Sequence, residues 1–487
     1  MKTLLVNLPW RRGKLYGIRA GSRWPFMLEP ESGKKIPGYM PFPFFLAYAA
    51  ALLEKNNIDV NLIDSLAEGY SDEEFINKAK EYGPEMIVIE TSTPSINTDL
   101  EWVEKLKKEI PSALIALCGT HATVFSEELL KENPGIEYVL RGEYEFMLLE
   151  LMQSLEKKES PGNIKGITFR EGERIIENPD RPLIDDINEF PWPARKFLPM
   201  YSYNDEFAGF PVPNVQVWAS RGCPFKCVFC NWPKTIYGGT RYRTRDVKDT
   251  VDEIEYLLKE YGFKGFYFDD DTFNIGKERI LSICEEIKKR GIKVPWAVMA
   301  RADTSDFETL KAMKEAGLYA IKFGVESGVQ EIVDRSGKRL DLKKVKENVK
   351  NAKKLGIKVH LTFTFGLPGE TAGTIRQTIK FAKETDPDSV QFSVVTPFPG
   401  TLYFDELDKK GYIASRNWDD YDGANRAVIR TADLTDKELV DWCNRAIREW
   451  NRFLLFSRLM KRPVKTLINA LKNPSYIPVF LKGLFRK

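Results

Sequence analysis

Three cysteines stand within eight residues, Cys223, Cys227 and Cys230, in the run Ser-Arg-Gly-Cys-Pro-Phe-Lys-Cys-Val-Phe-Cys-Asn-Trp-Pro. The spacing is C-x3-C-x2-C, and no fourth cysteine lies nearby. A cubane iron–sulfur cluster usually takes four thiolates. Three would leave one iron open to another ligand, and a chain that carries such a loop must place it on a scaffold able to shield and serve that iron. A structural zinc site wants four N or S donors, and His121 and His360, the chain's two histidines, are distant. A disulfide framework does not suit so tight a triplet in a chain with six cysteines. Three unliganded buried thiols remain the plain alternative.

Residues 1–155 alternate strand-like and helix-like runs: strands at 3–8, 59–64, 86–90, 113–118 and 138–141, helices at 43–55, 72–81, 98–109, 125–131 and 144–155. That alternation predicts a parallel sheet with helices on both faces. Ligands of such sheets sit at the carboxyl ends of the strands. The loops expected there are Glu90-Thr91-Ser92-Thr93-Pro94-Ser95, Cys118-Gly119-Thr120-His121-Ala122-Thr123 and Arg141-Gly142-Glu143. Small hydroxyl residues and glycines let a large ligand approach the backbone. The first strand is not followed by a Gly-x-Gly-x-x-Gly turn, which disfavours a dinucleotide.

Residues 156–205 read as a linker with a small hairpin over 164–176 and a proline-rich extended stretch over 186–200. Alternation then resumes, with strands at 215–220, 265–269, 295–301, 320–325, 359–365 and 389–395 and helices between them. Six such units form an open barrel rather than the closed eight. The cysteines follow its first strand, at the end where barrel sites are built from βα loops. Phe225 and Phe229 would shield a cluster. Asp269, Asp270 and Asp271 end the second strand, and three adjacent carboxylates repel unless a cation faces them; Mg²⁺ is the generic one. Arg301 ends the third strand, Glu326 the fourth, and Gly366-Leu367-Pro368-Gly369 the fifth.

In this order the motifs resemble the radical S-adenosylmethionine (SAM) superfamily. Residues 1–155 resemble the cobalamin-binding domain that precedes many of its cores. The expected fold is therefore α/β: an N-terminal doubly wound, Rossmann-like cobalamin-binding domain (1–155), a linker (156–205), a partial (β/α)6 radical SAM barrel (206–410) and a helical C-terminal region (411–487). The resemblance implies a [4Fe-4S] cluster on Cys223, Cys227 and Cys230, with SAM chelated at the open iron. It implies Asp269 or Asp270 for the SAM amino group, Arg301 for its carboxylate, Glu326 for the ribose hydroxyls, and Gly366 and Gly369 for adenine. Thr91, Ser92, Gly119, His121, Gly142 and Glu143 become the cobalamin contacts. The Asp-x-His-x-x-Gly motif that supplies a cobalt ligand elsewhere is absent, so cobalt ligation is unassigned. The segment Cys230–Thr235 with Arg241, Arg243 and Arg245 resembles that of hopanoid-biosynthesis-associated radical SAM proteins. Those arginines read either as holders of a phosphate or carboxylate or as a solvated loop.

A net charge of +3 gives no global signal for nucleic acid. The dispersed cysteines fit a reducing cytosol, the N-terminus is too short an apolar run for a signal peptide, and no run of about 18 apolar residues spans a membrane. From Asn451 to Lys487 there are nine Lys or Arg and no Asp or Glu, interleaved with large apolar residues. Such a tail suits peripheral contact with the inner face of an anionic membrane; packing on the barrel is the other reading. The expected activity is radical C-methylation of a lipid or isoprenoid-like substrate, with an external electron donor such as flavodoxin or ferredoxin. Oxidative cyclisation or ring rearrangement, as in relatives that resemble anaerobic magnesium-protoporphyrin ester cyclase, is the alternative within the fold, and a cobalamin or Fe–S sensor the alternative outside enzymes. A tRNA methylthiotransferase is disfavoured, because the second cysteine triplet of those relatives is missing.

Overall fold

The computed structural model describes residues 1–461 except 32, 34, 35, 424 and 425. Its first sheet has seven strands. Five are parallel, in spatial order Val60–Asp64, Thr3–Asn7, Met86–Thr91, Leu114–Gly119 and Tyr138–Leu140. This is the 2-1-3-4-5 order, whose switch point lies between the first and third strands of the chain. The hairpin Ile167–Glu171 with Arg174–Glu177, read from sequence as part of the linker, extends the same sheet antiparallel to Tyr138–Leu140. Strand period 2 divides the core. Leu4, Val6, Ile87 and Ile89 face the helices Asp72–Tyr82 and Ile96–Glu109, where Phe75 meets Trp102 edge-on. Leu5 and Val88 face the other side, with the helices Phe44–Lys55 and Glu145–Glu156.

The second sheet is six parallel strands in sequence order: Asn214–Val217, Gly265–Phe268, Trp296–Ala300, Leu318–Glu326, Lys358–Phe365 and Ser389–Val394. The first and last do not pair, so the barrel is open. Its helices begin at side-chain caps. Asp246, Asp306 and Asp341 each accept backbone N–H groups of the first turn, and Thr371 forms a capping box.

The helix Phe44–Lys55 joins the two sheets. It is buried from Phe44 through Leu53, apolar all round rather than on one stripe. Phe44 stacks on Trp218 at 4.1 Å and Phe45 meets Trp232 at 5.3 Å, both from the barrel's first unit. A small antiparallel sheet, Arg11–Arg12, Leu15–Ile18 and Phe26–Leu28, also lies in the N-terminal part. It has no counterpart in the sequence reading, because its strands are too short to show alternation. The helix Asp436–Lys461 opens with a reciprocal Thr435/Glu438 cap and buries Leu439, Ala446 and Trp450. It packs on the Ser389–Val394 strand and the helix Ala372–Thr385. This portion of the C-terminal region is thus packed on the barrel; residues 462–487, which carry most of the basic tail, lie outside the described residues.

Candidate active site

The cysteine loop leaves the first barrel strand through Ser220–Arg221, which pairs antiparallel with Arg243–Thr244. Gly222 makes the turn at φ +87°, and a Cβ there would lie 2.0 Å from Arg241 O. Two other loops brace it. Val228 N donates to Ser336 O at 2.9 Å, and Tyr403 N donates to Val228 O at 3.0 Å. Gly337 sits so close that a Cβ would fall 2.4 Å from Lys226 O. The three thiols lie within electrostatic range of one another; burial pushes all three up, with Lys338 acting against it. Among the described residues no three His, Cys, Asp or Glu side chains converge as the ligands of a single ion would. A cubane does not ask for that, since each thiolate binds its own iron.

The acidic triplet has its cation: Arg23. Its guanidinium bonds Asp269 Oδ1 at 3.0 Å and Asp271 Oδ1 at 2.7 Å. Asp271 also accepts Gly222 N at 3.0 Å, next to the first cysteine, and Thr272 Oγ1 lies 3.4 Å from Cys223 Sγ. Asp270 departs from the expectation of a SAM contact. It is fully buried, with one oxygen on Ala219 N at 2.9 Å and the other on Ser220 Oγ and near Arg279. Both oxygens anchor the strand end that launches the cysteine loop. Burial pushes Asp269 and Asp270 up to about 6, against the pull of Arg23 and Arg279 respectively.

Glu326 follows a register shift in its strand and has φ +69°. The non-glycine left-handed backbone turns its carboxylate to Lys338 Nζ at 2.8 Å and Thr364 Oγ1 at 3.0 Å. Glu326 and Lys338 both lie within electrostatic range of Cys227. Lys338 escaped the sequence reading; its one signal is Gly337 before it, in the turn after the helix Gln330–Arg335. Arg301 is largely engaged by protein groups, with four of its five N–H donors in hydrogen bonds. It bonds Asp303 twice, Lys338 O and Arg339 O, and its guanidinium stacks 3.8 Å from the Phe225 ring. In this arrangement it braces the cysteine loop from within the protein. Gly366 and Gly369 have φ +92° and +80°, and their turn is closed by Glu370, which accepts Gly366 N at 2.6 Å. Burial pushes Glu370 up to about 8.

At the crest of the first sheet the expected cobalamin contacts divide. Thr91 Oγ1 donates to Cys118 O, Ser92 bonds Ser95, and Gly119 approaches Thr91 O too closely for any side chain. Gly142 N donates to Thr123 Oγ1 at 2.9 Å. His121 is buried, with its ring against Phe125 and Trp418 and Nδ1 3.3 Å from Thr93 Oγ1. Desolvation holds it down to about 3, neutral. It is a packed core residue and not part of an open surface. Glu143 is no free contact either. It pairs with Arg221 at 2.8 Å and with Arg243 at 2.8 and 3.0 Å, and Arg221 also holds Glu145 at 2.7 Å. Arg243 and Arg245 are therefore neither phosphate holders nor a solvated loop: Arg245 is buried on Glu253 and Asp249, while Arg241 reaches Asp185 at the surface. A buried cation left unpaired is costly, and these acids remove that cost.

Residues 37–152 match the family model of the B12 binding domain, and residues 219–382 match that of the radical SAM superfamily. Over 389 residues the chain is 35% identical to an uncharacterised methyltransferase of Pyrococcus horikoshii, covering 80% of this chain and 83% of that protein. The chain belongs to the cobalamin-binding radical SAM family. This radical SAM chain is also 30% identical over 441 residues to the anaerobic magnesium-protoporphyrin IX monomethyl ester cyclase of Cereibacter sphaeroides, covering 88% and 70% of the two chains. Its fold is shared with the cobalamin-dependent radical enzyme OxsB, solved with aqua-cobalamin and SAM bound (TM-score 0.72, 18% identity, 99% of this chain and 72% of that one). It is an enzyme whose cofactors are a [4Fe-4S] cluster, SAM and cobalamin. The residues fit them. Three mutually close thiols lie on a loop braced by two others, a carboxylate and an ammonium stand beside Cys227, and the strand ends at the crest of the first sheet carry short side chains and glycines, Thr91, Ser92, Gly119 and Gly142. Among the described residues no helix is long and apolar enough to cross a membrane.

Proposed function

We propose that this protein is a cobalamin-dependent radical SAM C-methyltransferase acting on an apolar, lipid or isoprenoid-like small molecule. One observation carries the reading. The loop after the fifth parallel strand of the first sheet and the loop that bears the cysteines are clamped together by the buried ions Glu143, Glu145, Arg221 and Arg243. The two loops thus share one buried ionic junction. When bound, the cluster with SAM supplies hydrogen-atom abstraction from an unactivated C–H, and cobalamin supplies a transferable methyl group.

The chain's own residues position and exclude. Cys223, Cys227 and Cys230 hold the cluster. Glu326 and Asp269 receive the ribose hydroxyls and the amino group of SAM, and the backbone at Gly366 and Gly369 faces adenine. The backbone at Thr91, Ser92, Gly119 and Gly142 carries the corrin. Asp270, Arg301 and Glu143 act behind these groups by holding loops. The cluster, when bound, would take its electron from an external low-potential donor, and the basic-apolar tail would hold the protein against an anionic membrane surface where an apolar substrate would partition.

The test is product analysis of the anaerobically reconstituted protein with SAM, reductant and cobalamin. Formation of both 5′-deoxyadenosine and S-adenosylhomocysteine supports methylation. Formation of 5′-deoxyadenosine alone overturns it in favour of radical cyclisation or rearrangement, the chemistry that the 30% identity to a cyclase keeps as the second reading.

A further inference from the structure

Residues 19–24 precede the first position matched by either family model. They nevertheless run from the switch point of the first sheet to the mouth of the barrel. Arg19 fills the switch point: Nε donates to Asn7 Oδ1 at 2.8 Å, a terminal nitrogen donates to Leu8 O at 3.0 Å, and the guanidinium is ion-paired with buried Asp99. Gly21, at φ +74°, passes so close to Phe42 O that a Cβ would lie 2.0 Å away. Arg23 then grips Asp269 and Asp271. The segment is a strap pinned at both ends by charge, and Trp24 stands immediately after its second pin.

Trp24 is 38% exposed, yet it is part of an aromatic cluster. Its ring centroid lies 6.1 Å from that of Phe229, which stands between Cys227 and Cys230, and 6.0 Å from that of Phe398, in the loop after the sixth barrel strand. Phe229 and Phe398 are buried beneath it. Arg23 lies over the Trp232 ring, and its charge is met by the two aspartates. Leu402, 58% exposed, adds a second uncovered apolar side chain beside the same loop, next to Tyr403, whose amide bonds Val228 O. Three distant segments therefore meet in one aromatic cluster beside the cluster cysteines, and a strap pinned by charge at both ends holds its outermost ring.

We infer that Trp24, backed by Phe229 and Phe398, is the wall against which the hydrocarbon portion of the substrate lies, and that Trp24 is a specificity-determining contact. The inference rests on the proposed function. The hydrocarbon portion of an isoprenoid-like substrate offers no polar handle, and such a portion is recognised by aromatic faces through burial and dispersion rather than by directed hydrogen bonds.

The experiment is equilibrium binding of farnesol, a C15 isoprenoid alcohol, to the anaerobically reconstituted holoenzyme, with iron content as the check on each preparation. Trp24→Ala weakens farnesol binding by about tenfold, the order expected for loss of one aromatic face. Trp24→Phe restores affinity to within about threefold. Tyr201→Ala, which removes an exposed ring packed on Phe263 at the opposite end of the barrel, leaves binding at the wild-type level. The inference is overturned by wild-type affinity in Trp24→Ala, by an equal loss in Tyr201→Ala, or by a wild-type enzyme that binds no farnesol. Formation of 5′-deoxyadenosine by the wild-type preparation is read separately. Its absence counts against the proposed function, while the farnesol result still decides the role of Trp24.

Discussion

Replacing Arg221 by methionine removes the centre of the ionic junction without removing the stem volume. Arg221 and its partners Glu143 and Glu145 have side chains no more than 4% exposed. Its guanidinium also sits over four rings, with Phe190 at 4.1 Å and Tyr48 at 4.5 Å the nearest. Breaking a buried pair by removing one partner costs about 3–5 kcal/mol. Two features place Arg221→Met at the low end, about 3 kcal/mol. Glu143 keeps both bonds to Arg243. Glu145 can become neutral, because burial already holds its carboxyl well above the usual range. By the same reasoning Glu145→Gln is mild, about 1 kcal/mol or less, since the amide keeps an oxygen for Arg221 and needs no counter-charge. Denaturant midpoints of both variants under reducing, anaerobic conditions give the comparison. Iron content after reconstitution gives a second readout, because Arg221 is two residues from Cys223, and Arg221→Met should take up less iron. A loss below about 1 kcal/mol in Arg221→Met, or an equal loss in Glu145→Gln, would refute the claim that the junction is held by a desolvated cation.

Two further outcomes follow from the structure and the composition. His121 titrates at about 3 in the fold against 6.5 unfolded, so its contribution to stability is complete above pH 6.5 and is lost as pH falls towards 3. His121→Phe should therefore lose about 2 kcal/mol less than wild type between pH 7.5 and pH 5, measured by denaturation at the two pH values, while His360, held down to the same degree, retains its own share of the acid sensitivity. Deleting residues 461–487 should move the protein from sedimenting anionic liposomes to the supernatant; pelleting equal to that of the full chain would reject membrane contact through the tail.

The periodicity of the chain is a faithful guide where one face or both faces of an element are apolar. All eleven parallel strands of the two large sheets fall within a few residues of the runs 3–8 to 389–395, because a buried parallel strand must be apolar and is bounded by helix caps. The strap and its small sheet were invisible for the opposite reason: a strand of two to four residues has no period. The helix Phe44–Lys55 did carry a signal. A helix apolar on every side cannot lie on a surface, and its lack of a polar face marks a junction between two cores.

Charged residues at motif positions were harder to read, since the role of a charge is fixed by a partner the local sequence does not contain. Arg23 meets Asp269 from 246 residues away, and Arg243 meets Glu143 from 100. Viewed locally, Asp270, Arg301 and Glu143 have the chemistry of ligand contacts; in the fold each is buried and bonded to protein groups. The pattern has a physical basis. A loop that must hold cysteines at fixed separations cannot be stabilised by its own short length, so its geometry has to be imposed from outside. Here Asp270 and Asp271 fix it from the second barrel strand, Arg301 through Phe225 from the third, Ser336 and Gly337 from the turn after the fourth, and Glu143 and Glu145 through Arg221 from the first sheet. The charges at the strand ends thus divide between those that can still face a ligand, Asp269 and Glu326, and those that hold the loop on which that ligand depends. Exposure separates them: the side chains of Asp269 and Glu326 are each 11% exposed, whereas those of Asp270, Arg301 and Glu143 are no more than 6% exposed.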